Sequence, residues 1–167
     1  AGLAVPRGRV VMDARGLRFP FVLKRAFEHG SRGTRLLRSR RDLASLPRDW
    51  WEDGALLAEA YVVGRELTAS VVEVGGRPRC LPLVELPLRR GETYTEDRKW
   101  RGGGPPSLRP ARLPGLPRRR VEAAALRAFR VHGLRDYARF DLRLPPDGRP
   151  RFLEANVRPS FDPGYEL

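Results

Sequence analysis

Apolar positions along the chain cluster in short runs. Most alternate with a period of two, which predicts strands, and one stretch carries a clear helical period. Leu17–Lys24, Leu-Arg-Phe-Pro-Phe-Val-Leu-Lys, reads as a short apolar strand ending on Lys24. Ala55–Tyr61 and Glu66–Val74 read as two strands broken at Gly64. Arg79–Leu86 reads as a further strand whose prolines favour a sheet edge. Arg40–Trp50 suggests a short helix, with Asp42 near its start and Pro47 near its end. Residues 121–132 place Val121, Ala124, Ala125 and Ala128 on one helical face, and Gly133 stands where that helix should stop. Between them, Arg89–Arg120 turns to Arg, Gly and Pro around Gly102-Gly103-Gly104-Pro105-Pro106. That is too long for an ordinary connection, so either a functional lid or a disordered segment is expected there.

The pattern is most informative near the end of the chain. Tyr137–Leu144 and Arg149–Asn156 flank Pro145-Pro146-Asp147-Gly148, and Asp-Gly signals a two-residue hairpin turn. With that turn, paired positions sum to 295, which sets Asp141 opposite Glu154 and Arg139 opposite Asn156. These four polar groups then share one face, with Phe140, Leu142, Leu144 and Leu153 on the other.

Composition narrows the chemistry. A chain of 167 residues that is 41% hydrophobic and 32% charged can bury a core, as one domain or as two small lobes. Its single cysteine, Cys80, and two histidines, His29 and His132, exclude an intramolecular disulfide and a zinc cluster. The formal charge of +13 invites a nucleic-acid reading, but of the 33 basic residues 31 are Arg and two are Lys. That bias makes the charge look compositional and draws the eye to Lys24 and Lys99, since a compact ammonium suits phosphate oxygens. No apolar run reaches the ~18 residues of a membrane span and no signal-peptide pattern opens the chain, so a soluble, reducing, cytoplasmic setting is expected.

Like charges placed directly opposite one another in a sheet repel, so Asp141 against Glu154 needs compensation. Arg139 could supply it within a solvated charge network. Alternatively the two carboxylates and the Asn156 amide oxygen form a hard-ligand set of the kind Mg²⁺ prefers. Gly30, Ser31 and Gly33 form no Walker A motif, but a basic strand end at Lys24 beside flexible backbone N–H groups suits a phosphate. Glu59 and Glu66, seven residues apart around Tyr61 and Val62, are either solvated or acceptors for a nucleotide's amino group and ribose.

In order and spacing these residues resemble the ATP-grasp enzymes, and among them the D-alanine-D-alanine ligase group. The resemblance runs from Phe19-Pro-Phe-Val-Leu-Lys24 to Leu153-Glu-Ala-Asn156. It implies an α+β ATP-grasp fold whose two lobes, with antiparallel sheets, enclose a nucleotide cleft. Residues 1–60 would form the central lobe with the glycine loop, and residues 61–167 the C-terminal lobe with the metal site. An N-terminal substrate domain would be missing. Carried over, Lys24 and Lys99 are the phosphate lysines, and Gly30, Ser31 and Gly33 the loop closing over the phosphates. Glu59 accepts from the adenine amino group, Val62 offers its backbone N–H, and Glu66 binds the ribose, while Tyr61 and Val62 also suit apolar contact with the base. Arg139 stabilises the phosphoryl group and tetrahedral intermediate, with Lys99 and Ser31 as further catalytic groups. Asp141, Glu154 and Asn156 are the metal ligands. The implied cofactors are ATP and Mg²⁺, two ions, with Mn²⁺ as a substitute. The implied activity is carboxylate-amine ligation through an acyl phosphate, with a role in peptidoglycan biosynthesis. The expected partner is a small amino-acid or carboxylate substrate, with no nucleic acid or membrane, in a possible homodimer.

Tyr165 stands near the position where the ligases usually carry a substrate-contacting Ser, which leaves room for another ATP-grasp specificity, such as peptide or cofactor tailoring. A non-catalytic Arg-rich nucleic-acid module is the alternative from a different class. It predicts salt-sensitive binding that survives Asp141→Asn and Glu154→Gln.

Overall fold

The computed structural model describes residues 2–25, 33–52, 54–89, 91–93 and 108–159. Of the sequence expectations, the loop glycine Gly30, Ser31, Lys99 and Tyr165 lie outside the described residues. The described chain divides into two compact units, residues 6–61 with 91–93, and residues 2–5, 62–89 and 108–159.

The first unit is built on a four-stranded antiparallel sheet of β1 (Gly8–Val11), β2 (Phe21–Arg25), β3 (Thr34–Leu37) and β4 (Leu56–Ala60), in the order β1-β4-β2-β3. Alternation along β2 sends Phe21 and Leu23 into a core with Val11, Leu37, Trp50, Leu56 and Ala58, leaving Val22 and Lys24 on the opposite face. The expected helix Arg40–Trp50 is two pieces, α1 (Arg40–Ala44) and a 3₁₀ turn (Arg48–Trp51). Pro47 separates them, because proline disfavours helical geometry at the preceding residue and lacks an N–H to donate. A capping box starts α1: the Ser39 hydroxyl accepts from Asp42 N at 3.2 Å, and the Asp42 carboxylate accepts from Ser39 N at 3.1 Å. The 3₁₀ turn buries Trp50 under the guanidinium groups of Arg25 and Arg35, 5.3 and 5.6 Å from its ring centroid.

The second unit holds a six-stranded sheet with β5 (Arg65–Val74) at its centre. Its path is β10 (Arg151–Asn156), β9 (Tyr137–Leu144), β5, β7 (Val84–Leu86) and β8 (Arg109–Pro110), and β6 (Arg77–Cys80) pairs the far end of β5. The single strand expected over 79–86 is therefore two short strands, interrupted around Pro82 where no backbone N–H is available. Helix α2 (Gly115–Val131) packs Val121, Ala125, Ala128 and Phe129 against Leu67, Ala69, Val71, Phe140 and Leu142. It begins six residues before the expected start at residue 121. Pro117 sits in the first turn, where a missing N–H costs nothing. It ends as the sequence predicts. Gly133, at φ 61°, donates to Arg130 O at 3.0 Å, and Leu134 N donates to Phe129 O at 3.0 Å, the paired bonds of a Schellman motif.

The hairpin reaches the expected pairing by an unexpected route. Gly148 N donates to Pro145 O at 2.9 Å, so the turn spans one residue more than two, and Phe152 pairs with Leu142. A bulge between Phe152 and Glu154 then absorbs the difference, restoring Asp141 opposite Glu154 and Arg139 opposite Asn156. The core residue is consequently Phe152, edge-on to Phe140 at 5.8 Å, in place of the expected Leu153, which is half-buried at the bulge.

Candidate active site

In the first unit, Val22 of β2 pairs directly with Glu59 of β4, which puts Lys24 on the same face one pleat away. The Lys24 ammonium lies 2.6 Å from the Glu59 carboxylate, both side chains largely withdrawn from solvent. The two expected nucleotide contacts are therefore each other's partner, a cation and an acceptor held in one ion pair. Tyr61 donates its hydroxyl to Glu92 O at 2.9 Å, and its backbone N–H donates to Pro20 O at 3.3 Å. Gly33 adopts φ 59°, a conformation that favours glycine, where its carbonyl accepts from Arg25 N at 3.1 Å.

In the second unit three strands bring polar residues into rows on the face away from α2. Thr68, Asp141 and Glu154 stand side by side across β5, β9 and β10. Ser70, Arg139 and Asn156 form the next row, and Glu66, Arg143 and Arg151 the row on the other side. Asp141 accepts from Thr68 Oγ1 at 3.0 Å through Oδ1 and from Arg139 Nη2 at 2.9 Å through Oδ2. Both bonds fix the carboxylate and offset its repulsion from Glu154. Glu154 is exposed, and the Asn156 Oδ1 accepts from Arg158 N at 2.9 Å.

Among the described residues no three His, Cys, Asp or Glu gather into a metal cluster. The set here is two carboxylates and one amide oxygen. Ionised carboxylates keep acceptor capacity beyond one bond per oxygen, so the donor chemistry fits a hard divalent cation that completes its shell with water or phosphate.

Two residues of this face were not singled out in the sequence, Thr68 and Arg143. Both were open to the period-two rule: Thr68 lies two residues after Glu66, and Arg143 two after Asp141. Arg143 is almost wholly buried, 3% exposed, and its Nη2 lies 2.6 Å from Glu66 Oε2. Gly64, just ahead of β5, lies so close to β9 that a Cβ there would overlap the Leu144 carbonyl and come within 2.8 Å of Pro145 N.

On the opposite face, Glu85 is buried between Arg65, at 2.8 Å, and Arg109, at 3.0 Å. Hydrogen bonding from Arg65 holds its carboxyl below the usual carboxylate range, outweighing the effect of burial. Burial pushes the Cys80 thiol up to about 11 and keeps it protonated at neutral pH.

The α+β architecture of two antiparallel sheets, with Lys24 one residue before the end of β2 and an Arg-Asp-Glu-Asn face on β9 and β10, is the ATP-grasp fold. A solved D-alanine–D-alanine ligase from Bacillus anthracis, complexed with ATP, superposes with a TM-score of 0.67 at 23% identity, covering 95% of this chain and 49% of that one. N5-carboxyaminoimidazole ribonucleotide synthetase from Thermotoga maritima superposes with a TM-score of 0.69 at 20% identity, covering 96% of this chain and 39% of that one. At such identities the likeness is one of fold. The chain belongs to the family described as D-ala D-ala ligase C-terminus, whose model matches residues 10–163. D-alanine–D-alanine ligase from Cupriavidus metallidurans is 32% identical over 99% of this chain and 53% of its own length. The chain therefore spans about half the length of the curated relatives it matches. No helix among the described residues is long and apolar enough to cross a membrane.

Proposed function

We propose that this chain carries the nucleotide- and metal-binding half of an ATP-dependent carboxylate-amine ligase that joins D-alanine to D-alanine or a closely related acceptor. The observation that carries the proposal is the row Thr68–Asp141–Glu154 beside Arg139 and Asn156, in a member of this ligase family. Lys24 and Lys99 bind the nucleotide phosphates, with Gly30, Ser31 and Gly33 as the loop over them. Glu59 accepts from the adenine amino group, Tyr61 and Val62 contact the base, and Glu66 accepts from the ribose hydroxyls.

Asp141, Glu154 and Asn156 would hold Mg²⁺, which supplies charge neutralisation at the phosphate oxygens when bound. A substrate carboxylate oxygen attacks the γ-phosphorus of ATP, the bond to the ADP oxygen breaks, and an acyl phosphate forms. The amine of the second substrate then attacks the acyl carbon, and phosphate leaves with the oxygen the carboxylate contributed. Arg139, held by Asp141 in a planar, always-charged fork, stabilises the negative charge gathering on the transferred phosphoryl group. Lys99 and Ser31 complete the catalytic set. A ribonucleotide synthetase shares this fold, and one fold hosts more than one chemistry, so the substrate has to be established by experiment.

The test is ADP release by the complete protein with Mg-ATP and a panel of D- and L-amino acids. D-Alanine should stimulate release, and Glu154→Gln should abolish it with the fold intact. Undiminished ADP production by Glu154→Gln would remove the metal assignment, and stimulation by L-amino acids alone would remove the substrate.

A further inference from the structure

The structure assigns to Arg143 a role as the positioning residue for the ribose contact of the nucleotide, acting through Glu66; this rests on the nucleotide-binding function proposed above. Arg143 and Glu66 are direct cross-strand partners on β9 and β5. Two N–H groups of the guanidinium, Nε at 3.0 Å and Nη2 at 2.6 Å, converge on the same carboxylate oxygen, Glu66 Oε2. The remaining Nη1 donates to Val62 O at 3.3 Å, so the fork is anchored to the chain that leads into β5 as well as to the carboxylate. Both side chains are buried, at 3% and 10% exposure.

A buried ion pair is a poor device for stability, because taking two charges out of water costs about as much as their attraction returns, and well-packed apolar residues do as well. What the pair does supply is direction. A glutamate has freely rotating single bonds, whereas a carboxylate clamped by a planar fork points one way before any ligand arrives. Glu66 shares its face with Thr68 and Asp141, one and two rows' width from the proposed metal ligands, so a fixed carboxylate there sets where a nucleotide's vicinal hydroxyls sit relative to its phosphates. The chemical class recognised is a ribonucleotide diol, and the contribution of Arg143 is the orientation of its acceptor.

The experiment compares ADP with 2′,3′-dideoxy-ADP as probes, measuring Kd by calorimetry on the complete protein. Arg143→Lys keeps the charge and loses the fork. It should weaken ADP about tenfold, the worth of one charge-assisted hydrogen bond, and weaken the dideoxy probe less than twofold. In a Glu66→Gln background the same change should have no further effect on ADP. Equal weakening of both probes, or additive loss in the double variant, would overturn the assignment and leave Arg143 a structural residue. If Arg143→Lys does not fold, Arg143→Met/Glu66→Gln removes both charges and should match Glu66→Gln alone in ADP affinity; a further drop overturns the assignment. Failure of the unaltered protein to bind ADP would instead overturn the nucleotide-binding function on which the assignment rests.

Discussion

Thr68 donates its hydroxyl to Asp141 Oδ1 at 3.0 Å, from the strand directly beside it. The bond orients one of the two carboxylates proposed to hold Mg²⁺ without itself using a metal-binding group. Groups that orient a ligand typically contribute 10–100-fold to metal affinity or activity. Thr68→Val, similar in shape, should therefore raise the Mg²⁺ concentration for half-maximal ADP release by about tenfold. Asp141→Asn should leave no activity at any Mg²⁺ concentration. A magnesium titration of the three proteins measures this, and an unchanged midpoint for Thr68→Val would separate Thr68 from the metal.

Gly64 carries a steric prediction. A methyl group at this position would collide with main-chain atoms of Leu144 and Pro145, which cannot rotate aside as a side chain could. Gly64→Ala should lower stability by about 1–3 kcal/mol, the usual cost of overpacking, seen as a lower urea midpoint with an unchanged slope. The same change at Gly76, whose Cβ would meet nothing within 4 Å, tests a different term, the φ of 72° alone.

Acid should weaken the second unit through Glu85. Its carboxyl titrates below the usual value of 4.5 in the folded chain, chiefly because Arg65 hydrogen-bonds to the charged form. The unfolded chain thus takes up a proton at a higher pH than the folded one, and stability falls as pH falls. The contribution is fully present above pH ~4.5 and disappears as pH drops through the lower, folded value. Glu85→Gln should be less stable than the parent at pH 7, and the gap should close below pH ~4.5. Denaturant melts from pH 7 to pH 3 measure it, and a gap that stayed constant would contradict the assignment.

Helix α2 and the central strands were legible because burial there is strictly periodic. Val121, Ala125 and Ala128 meet the alternating residues of β5 and β9, and a glycine closes the helix. Strands β1 and β3 leave little signal because each is four residues long with a single buried position, Val11 and Leu37. The pairing of Asp141 with Glu154 was legible for a reason only half right. Counting back from Asp147-Gly148 paired Asp141 with Glu154, yet the longer turn alone would have offset that pair by one, and the bulge before Glu154 corrects it. A bulge leaves no composition signal in one sequence, so Phe152 and Leu153 exchange roles unannounced. Arg143 is not legible in the sequence, because an arginine in a chain with 31 of them looks like background and its burial is what distinguishes it.

The central claim is that the substrate carboxylate is activated as an acyl phosphate. Incubating the complete protein with Mg-ATP and D-alanine labelled with ¹⁸O in its carboxylate tests it most directly, by mass analysis of the inorganic phosphate released. Because the attacking oxygen leaves with the phosphoryl group, each phosphate formed per peptide bond should carry one ¹⁸O. Unlabelled phosphate alongside dipeptide would contradict the account.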